Sequence, residues 1–289
     1  MKIGILGRGF GLYGYLPAAI RNGWEPHTLT RYREEFALRP ELLKYIDKVW
    51  FHPDEKSLIS GVSALVCARN PQSQIELLET GIPFLGHLYL EKPIAPTILQ
   101  HELILQKLNS TKQDFSVGYL FPFTEWYREI LVKNKITGTK AFNIYWDVNL
   151  SLSSWKSKVS SGGGLANFYA IHFVTLLEDL GTNWNSLIFT SNENCLTIKG
   201  NVGEEVEINI LIRISSNNHF QIHCISQEGI KQDIVKTETP FGATGMRGAQ
   251  DPRISFLAEY MEDNFQAKDL NLNIAMEEKV LLFRKLSVQ

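Results

Sequence analysis

Long apolar runs are missing from this sequence, and their absence argues against a membrane protein. Its apolar stretches are much shorter than the roughly 18 residues that a membrane-spanning helix needs. The first residues, Met1 to Leu6, have the pattern of a buried strand and lack the long apolar core and cleavage site of a signal peptide. We therefore expect a cytoplasmic protein that has no membrane partner.

Cysteine is scarce as well. Only three cysteines are present, Cys67, Cys195 and Cys224, and their odd number and wide spacing predict reduced, mostly buried thiols. The pattern argues against a disulfide framework and against a zinc site. The sequence contains no other metal-ligand spacing, no internal repeat and no low-complexity tract, so we expect no bound metal.

Charge of one sign is not concentrated anywhere in the chain. The 29 lysines and arginines nearly balance the 31 acidic residues, which leaves a formal net charge of −2 at pH 7. Because binding to nucleic acid requires a basic patch or tail, we expect no nucleic-acid partner. What remains is a chain of 289 residues, 44% of them hydrophobic, which is long enough for a sizeable core and for two domains.

Short strands and helices alternate through the first part of the chain and predict an α/β fold with a doubly wound parallel sheet. We expect a domain boundary near residue 118, so that the domains comprise residues 1–118 and 119–289. The predicted elements before the boundary are strands Lys2–Leu6, Glu25–Thr30, Asp47–Phe51, Ala64–Ala68, Ile82–Leu90 and Phe115–Leu120, with helices Tyr15–Asn22, Ile75–Thr80 and Thr97–Leu108.

The second part of the chain predicts an α/β domain with a largely antiparallel sheet. Apolar and polar residues alternate in Val206–Ile214, as expected for a strand with one buried face. The loops Ser151–Ser161 and Phe241–Pro252 are expected to determine pocket specificity, and at least one helix closes the fold. The predicted elements are helix Phe123–Lys133 and strands Lys140–Leu150, Leu187–Thr190, Cys195–Lys199, Val206–Ile214, Phe220–Ser226 and Gly229–Val235.

Glycines follow the first strand at once, at Gly7, Gly9, Gly11 and Gly14. A strand, a glycine-rich turn and a helix form the context of a dinucleotide phosphate site, because glycines let backbone amides approach the pyrophosphate. The register stays open: counted from Gly7 and Gly9 the third fingerprint position is Leu12, and counted from Gly9 and Gly11 it is Gly14. Gly7, Gly9, Phe10, Gly11 and Leu12 are the candidate phosphate-binding residues.

The second strand ends where an NAD site normally carries an acid for the ribose hydroxyls, and here the chain reads Thr30-Arg31-Tyr32-Arg33. A hydroxyl and two arginines suit a 2′-phosphate, so the sequence favours NADP over NAD. A solvated basic loop is the alternative, because Glu34 and Glu35 follow. At the end of the fourth strand, Arg69 and Asn70 begin a polar turn that runs to Ser73 and is a further candidate for contact with the cofactor.

Two further stretches stand out. The strand that ends at Leu90 leads into Glu91-Lys92-Pro93, which directs Lys92 toward a cleft unless Glu91 and Lys92 are a solvated pair. The triplet Gly162-Gly163-Gly164 precedes a predicted helix, about Ala166–Leu180, whose apolar residues surround His172. A core histidine is the alternative there. Tyr169 would lie within about 60° of His172 on a regular helix and could supply a hydroxyl, or could simply pack.

Together these motifs resemble the glucose–fructose oxidoreductase, inositol dehydrogenase and rhizopine catabolism family (Gfo/Idh/MocA) of NAD(P)-dependent enzymes. Three more stretches fit the same family: Leu16-Pro17-Ala18, Val117-Gly118-Tyr119 and Trp155-Lys156. The resemblance implies a Rossmann domain followed by an α/β domain with an open sheet that binds substrate and forms a homo-oligomer, a dimer or tetramer. It also implies hydride transfer at a hydroxyl or keto carbon of a sugar, nucleotide sugar or cyclitol.

The resemblance assigns roles to individual residues. Lys92 polarises the substrate oxygen and joins the cofactor site together with Glu91, and His172 is the general acid/base, to which Tyr169 could add its hydroxyl. Tyr119 and Trp155 contact the substrate together with Lys92 and His172. Phe168 stands where the family has an aspartate, four residues before His172, which predicts slower turnover.

A ligand-sensing regulator that has kept the fold and lost turnover is the alternative, supported by Leu12, Phe168 and Pro122. An imine-type or bilin reductase would fit the cofactor half equally well, but no residue supports it.

Overall fold

The chain forms two compact units. The first comprises Met1–Leu120 together with Gly245–Glu277, and the second comprises Phe121–Thr244 together with Glu278–Gln289. The sequence predicts one boundary only, near residue 118, and therefore assigns to the second domain a segment that belongs to the first unit. The residues described by this computed structural model are 1–79, 84, 86–136, 138–151, 153–203, 205–243 and 251–288.

The first unit contains a parallel sheet whose strands are ordered β3-β2-β1-β4-β5-β6. Because β1 lies beside both β2 and β4, the strand order reverses at β1, and open sheets of this kind bind ligands at that point, outside the carboxyl ends of the strands. The predicted doubly wound parallel sheet is thereby confirmed. Its strands are β1 (Lys2–Leu6), β2 (Glu25–Leu29), β3 (Trp50–His52), β4 (Ala64–Cys67), β5 (His87–Leu90) and β6 (Phe115–Val117).

Two helices, the fourth and the sixth in chain order, begin at a residue whose side chain caps them. The Asp54 carboxylate accepts a hydrogen bond from the Ser57 amide at 2.7 Å, and the Thr97 hydroxyl accepts one from the Gln100 amide at 3.2 Å. The helices of the described residues are α1 (Leu16–Arg21), α2 (Arg33–Leu38), α3 (Pro40–Leu43), α4 (Glu55–Ser60), α5 (Pro71–Glu79), α6 (Ile98–Ser110), α7 (Glu125–Lys135), α8 (Val174–Asp179), α9 (Arg253–Ala267) and α10 (Leu270–Leu286).

Two predicted elements of the first unit are wrong in part. The third strand was expected from Asp47, but Ile46–Lys48 forms a 3₁₀ turn and the strand begins at Trp50. The polar turn after β4 is shorter than expected, because Pro71 suits the first position of a helix and already begins α5. The expected strand start at Ile82 and the helix end at Thr80 lie outside the described residues.

Helix α9 belongs to the first unit because its residues bond directly to elements at the start of the chain. The Asn22 side-chain amide donates to the carbonyl of Ala258 at 2.8 Å, and the Tyr89 hydroxyl donates to the carbonyl of Met261 at 2.5 Å. Apolar spacing predicts a helix in this part of the sequence, but it carries no information on where that helix packs.

The second unit contains a sheet ordered β12-β11-β7-β10-β9-β8, in which β7 and β10 are parallel and all other neighbours are antiparallel. Phe142, Ile144 and Trp146 on one face of β7 are buried, whereas Tyr145 on the other face is exposed. The predicted, largely antiparallel sheet is thereby confirmed. Its strands are β7 (Thr139–Val148), β8 (Ile188–Asn192), β9 (Cys195–Val202), β10 (Val206–Ile214), β11 (His219–Ser226) and β12 (Lys231–Thr237).

Two observations on the described residues concern the membrane and the cysteines. None of the helices among these residues combines the length and the apolar character needed to cross a membrane. All three cysteines are unbridged, with Cys67 and Cys224 buried and Cys195 partly exposed. Burial raises the pKa of the Cys67 thiol to about 12, so this thiol is unreactive at neutral pH.

A buried polar network joins β5 and β6 to α9. The Nδ1 atom of His87 lies 2.8 Å from the Asp114 carboxylate, and its Nε2 atom lies 2.9 Å from the Ser116 hydroxyl. The Tyr260 hydroxyl donates to the same Ser116 oxygen at 2.9 Å. Burial lowers the pKa of His87, and the bond to Asp114 offsets this only in part. The network therefore requires a neutral imidazole that donates to Asp114 and accepts from Ser116.

This network predicts a loss of stability in mild acid. The unfolded chain binds a proton at His87 near pH 6.5 and the folded chain only at a lower pH, so protons favour unfolding as the pH falls below about 6.5. Between pH 7.5 and 5.5 we expect the free energy of unfolding of the wild type to fall by about 1 kcal/mol more than that of His87→Gln. Urea denaturation at the two pH values measures this difference, and equal losses in both proteins would contradict it.

Candidate active site

The carboxyl edge of the parallel sheet brings the predicted cofactor residues together. The glycine turn follows β1, Thr30 and Arg31 follow β2, Arg69 and Asn70 follow β4, and Glu91 with Lys92 follows β5. Since β2, β1, β4 and β5 are consecutive neighbours in a parallel sheet, all these residues lie along one edge.

Two glycines of the turn serve different purposes. Gly7 has a φ of +133°, and a Cβ atom there would lie 2.1 Å from the carbonyl oxygen of Ala68. A Cβ atom at Gly9 would meet nothing within 4 Å. Gly7 therefore permits the turn itself, whereas Gly9 leaves space beside the backbone for an incoming group. A Cβ atom at Gly11 would press on Ile5 at 3.2 Å, so Gly11 allows the helix to pack closely on β1.

The helix after the turn begins earlier than predicted. A π-helical turn over Gly11–Tyr15 leads directly into α1, whereas the sequence predicts a helix start at Tyr15. The side chain of Leu12 is fully buried, and its amide donates to the carbonyl of Gly9 at 3.0 Å. Leu12 is thus a packing residue in this geometry, and Phe10 remains partly exposed beside Gly9.

The two glycines can be separated by experiment. We expect Gly7→Ala to destabilise the fold by about 2 kcal/mol or more, because the new methyl group meets backbone and a positive φ is required. Gly9→Ala should leave the melting temperature within about 2 °C of the wild type, and it should weaken NADH binding about tenfold or more by filling the space beside the turn. Thermal unfolding and NADH fluorescence titration measure both effects. A stable Gly7→Ala protein, or full NADH affinity in Gly9→Ala, would contradict this account of the turn.

The two arginines of the site share one carboxylate. Arg31 Nη2 and Arg69 Nη2 each lie 2.6 Å from Glu55 Oε1, and Arg69 Nη1 lies 3.3 Å from Glu55 Oε2. Burial raises the pKa of the Glu55 carboxyl, but Arg69 and then Arg31 outweigh burial and hold it below its usual value. The basic loop is therefore anchored by an internal ion pair, and Glu55 is a site residue that the sequence patterns did not indicate.

Thr30 and Asn70 are exposed residues whose side-chain oxygens bond to backbone groups of the sheet edge. The Thr30 hydroxyl donates to the carbonyl of His52 at 3.0 Å, which links the ends of β2 and β3. The Asn70 carbonyl oxygen accepts from the Ser73 amide at 2.9 Å and caps the start of α5. Thr30 thus holds the ends of two neighbouring strands together, and Asn70 stabilises the start of the helix that follows β4.

The segment that carries Lys92 is clamped by Gln74 of α5. The Gln74 side chain is fully buried; it accepts from the Glu91 amide at 3.0 Å and donates to the carbonyls of Glu91 and Ile94 at 2.9 and 3.1 Å. Lys92 itself is only 6% exposed, which excludes the alternative of a solvated Glu91–Lys92 pair. Lysine is rarely buried to this degree unless it is paired or functional.

Tyr15 fixes the neighbouring Glu91. Its hydroxyl donates to Glu91 Oε1 at 2.7 Å. Burial, and next the charge of Glu91, raise the pKa of Tyr15 well above its ordinary value, so the hydroxyl remains a donor at any physiological pH. This bond connects the helix of the glycine turn with the segment of Lys92.

Tyr119 directs its hydroxyl into a buried cluster. The hydroxyl donates to Glu277 Oε1 at 2.9 Å, and the other carboxylate oxygen lies 2.9 Å from His101 Nε2. Tyr119 is buried, so its predicted contact with substrate would have to be made by something other than this hydroxyl.

The predicted helix around His172 is irregular. Leu165–Tyr169 forms a π-helical turn, Ala170–Phe173 a 3₁₀ turn, and the α-helix begins only at Val174. The face relations that a regular helix predicts for Phe168 and Tyr169 relative to His172 therefore do not hold. The wider turn begins directly after Gly164, whose φ of +87° lies in a region that favours glycine.

Aromatic rings surround His172 and Tyr169 in the second unit. The buried imidazole of His172 stacks on Phe121 with a centroid separation of 4.7 Å and an interplanar angle of 19°. Trp146 of β7 contacts both residues, Tyr169 edge-on at 5.3 Å and His172 at 6.3 Å. Burial raises the pKa of Tyr169 to about 12. Trp146 links the two predicted catalytic residues of this unit, and no sequence pattern singled it out.

An aromatic and cationic cluster occupies the position of the family's aspartate. The ring of Phe168 meets Trp155 edge-on at 5.3 Å, and the Lys156 ammonium lies 4.8 Å from its centroid. The adjacent Asn167 accepts a hydrogen bond from Arg284 Nε at 3.0 Å. Neither Phe168 nor Asn167 supplies a carboxylate near His172. Trp155, a predicted substrate contact, packs on Phe168.

No protein-family model matches the sequence, and no curated protein matches it. Solved structures match over nearly the whole chain. A myo-inositol dehydrogenase from Corynebacterium glutamicum ATCC 13032 aligns with a TM-score of 0.68 and 14% identity over 100% of this chain and 95% of its own. The WlbA (WbpB) dehydrogenase from Thermus thermophilus, in complex with NAD and UDP-GlcNAcA, aligns with a TM-score of 0.70 and 12% identity over 98% of this chain and 94% of its own. A Gfo/Idh/MocA family oxidoreductase from Vibrio cholerae aligns with a TM-score of 0.69 and 12% identity over 99% of this chain and 96% of its own.

The chain has the fold of these dehydrogenases. The resemblance to the glucose–fructose oxidoreductase family that the motifs predict is thereby confirmed at the level of the fold. A shared fold does not establish an activity, because function depends on the residues of the site. The activity must therefore be argued from the edge of the sheet and the residues gathered there.

Proposed function

We propose that the protein is an oxidoreductase that uses a nicotinamide dinucleotide to interconvert a hydroxyl carbon and a keto carbon. The observation that carries this proposal is the presence of the glycine turn and the buried Lys92 on the same edge of a parallel sheet. Such chemistry requires a cofactor held in a fixed place and a polar group that acts on the substrate oxygen. A sugar, nucleotide sugar or cyclitol is the proposed substrate class, supported by relatives described as a myo-inositol dehydrogenase and as a complex with UDP-GlcNAcA.

The residues of the glycine turn fit a dinucleotide. Gly9 offers open space beside the backbone, so a pyrophosphate could approach the turn closely. The glycine turn would hold the pyrophosphate, and Thr30 and Arg31 would lie at the adenosine ribose. When bound, the nicotinamide would accept or supply the hydride. Either NAD or NADP fits this description. The predicted preference for NADP depends on whether the ion pair with Glu55 leaves Arg31 able to bind a 2′-phosphate.

Lys92 is the residue proposed to act on the substrate oxygen. A cation on a nearly buried side chain stabilises negative charge more strongly than it would in water, because the surrounding dielectric is low. Gln74 restricts the backbone on which Lys92 stands, so the cation would need little reorganisation during reaction.

His172 is proposed as the general acid/base, with Tyr169 as an assisting hydroxyl. A positioned acid or base contributes about 10²–10⁴-fold to a rate. Because Phe168 stands in place of a carboxylate, the residue four positions before His172 cannot stabilise the imidazolium form, so we propose a turnover below that of a site with the family's aspartate.

Replacing Lys92 tests the proposal directly. We expect Lys92→Met to retain NADH binding and to lose about 10²–10³-fold in kcat on a panel of keto sugars and inosose substrates, because the charge on the substrate oxygen loses its partner. NADH fluorescence titration and loss of absorbance at 340 nm measure the two quantities, with the exposed Lys48→Met as the matched control.

Three outcomes are distinguishable in this experiment. Binding of NADH with turnover that depends on Lys92 supports the proposal. Binding without turnover by the wild type on the whole panel would favour the sensor alternative. If neither NADH nor NADPH binds the wild type, the proposed function is wrong.

His172 requires a separate test. We expect His172→Gln to lower kcat by about 10²-fold and to remove the ionisation from the pH profile of kcat that the imidazole causes. His219→Gln is the matched control, because that imidazole lies on β11 and bonds within the described residues to Gln221. An unchanged pH profile in His172→Gln would assign the residue to packing against Phe121.

A further inference from the structure

Glu55 occupies a particular position along the sheet edge of the first unit. It is the first residue of α4, which follows β3, and its carboxylate joins Arg31 after β2 to Arg69 after β4. Strand β1 lies between β2 and β4 and ends in the glycine turn. The bridge of three side chains therefore connects the two strands that flank the candidate phosphate-binding turn, on the side where the adenosine half of a dinucleotide lies in this type of sheet.

The hydrogen bonds of Glu55 leave room for one more donor. A carboxylate can accept about four hydrogen bonds, two at each oxygen. Oε1 accepts from both arginines, and Oε2 accepts only the longer bond from Arg69 within the described part of the chain. A hydroxyl group that approaches Oε2 would find an acceptor there, whereas a second anion would meet a carboxylate that already holds both guanidinium groups.

The charges lead to the same conclusion. Two arginines and one glutamate give the bridge a net charge of +1, whereas a ribose 2′-phosphate carries a charge between about −1.5 and −2 at neutral pH. To bind the phosphate, the arginines would have to exchange charge-assisted bonds of 2.6 Å with Glu55 for new ones, and the displaced carboxylate would remain beside the phosphate. Arg69 is 15% exposed and held by two bonds, so only Arg31, at 60%, is readily able to turn away.

From this geometry, and resting on the proposed function, we propose that Glu55 determines cofactor choice. It sequesters Arg31 and Arg69 from a 2′-phosphate and accepts a hydrogen bond from the 2′-hydroxyl, so the protein prefers NAD to NADP. This reverses the preference that Thr30-Arg31-Tyr32-Arg33 predicts. The arginines alone suit a phosphate, but Glu55 stands 24 residues beyond Arg31 and reaches it only through the fold.

The test compares dissociation constants for NADH and NADPH in the full-length protein and in Glu55→Gln, which removes the charge and keeps the shape. We expect the wild type to bind NADH about tenfold more tightly than NADPH, and Glu55→Gln to bind NADPH about tenfold more tightly than the wild type does. Glu262→Gln is the matched control: it makes the same charge change on α9, where Glu262 accepts a hydrogen bond from Gln266 at 3.3 Å. Its affinities for both cofactors should equal those of the wild type.

A second variant shows whether the gain comes from the released arginine. Adding Arg31→Ala to Glu55→Gln should abolish the improved binding of NADPH, because no guanidinium is then released. Melting temperatures establish that each protein is folded, and Glu55→Asp, whose shorter side chain draws back from Arg31, replaces Glu55→Gln if that variant does not fold.

The outcomes separate the inference from the proposed function. If both cofactors bind and the NADH-to-NADPH ratio is the same in the wild type and in Glu55→Gln, the role of Glu55 is overturned and the dinucleotide site stands. A wild-type preference for NADPH would overturn it as well. If neither cofactor binds any of the proteins, the proposed function fails and the inference fails with it.

Discussion

The clamp that Gln74 makes on the segment after β5 is the interaction on which the rest of the candidate site depends. One buried amide satisfies the N–H and C=O of Glu91 and the C=O of Ile94, so a stretch without regular structure keeps a fixed path. Lys92 stands within that stretch, and Tyr15 ties the adjacent Glu91 to the helix of the glycine turn. Removal of the Gln74 side chain would break all three of these bonds and would loosen the backbone on which Lys92 stands.

The sequence allowed the local parts of this site to be predicted. Gly7 and Gly9 directly follow a buried strand, and Lys92 directly follows another, so short-range spacing was sufficient to find them. The alternation of strands and helices was also sufficient for the parallel sheet, because each strand is a short apolar run bounded by turn residues. The element ends were less accurate, since Ile46–Lys48 and Gly11–Tyr15 adopt 3₁₀ and π turns that no pattern of polarity specifies.

The residues that the sequence did not indicate are those that reach the site from distant parts of the chain. Glu55, Gln74 and Tyr15 have ordinary neighbours in sequence, and only the order of the strands brings them to Arg31 and Glu91. In the second unit, Trp146 lies on β7 and contacts Tyr169 and His172, which belong to an irregular helical segment. Where the family has an aspartate, this chain has Phe168, whose ring contacts the ring of Trp155 and the ammonium group of Lys156.

The central claim is that the carboxyl edge of the parallel sheet binds a nicotinamide dinucleotide. Amide hydrogen exchange with and without saturating NADH tests it most directly, because it reports the location of binding without any known substrate. The account predicts slower exchange in the glycine turn over residues 7–12 and in the Lys92 segment over residues 91–94, with the outer strands β8 and β12 of the second sheet unaffected. No change in exchange at the glycine turn, with NADH bound, would contradict it.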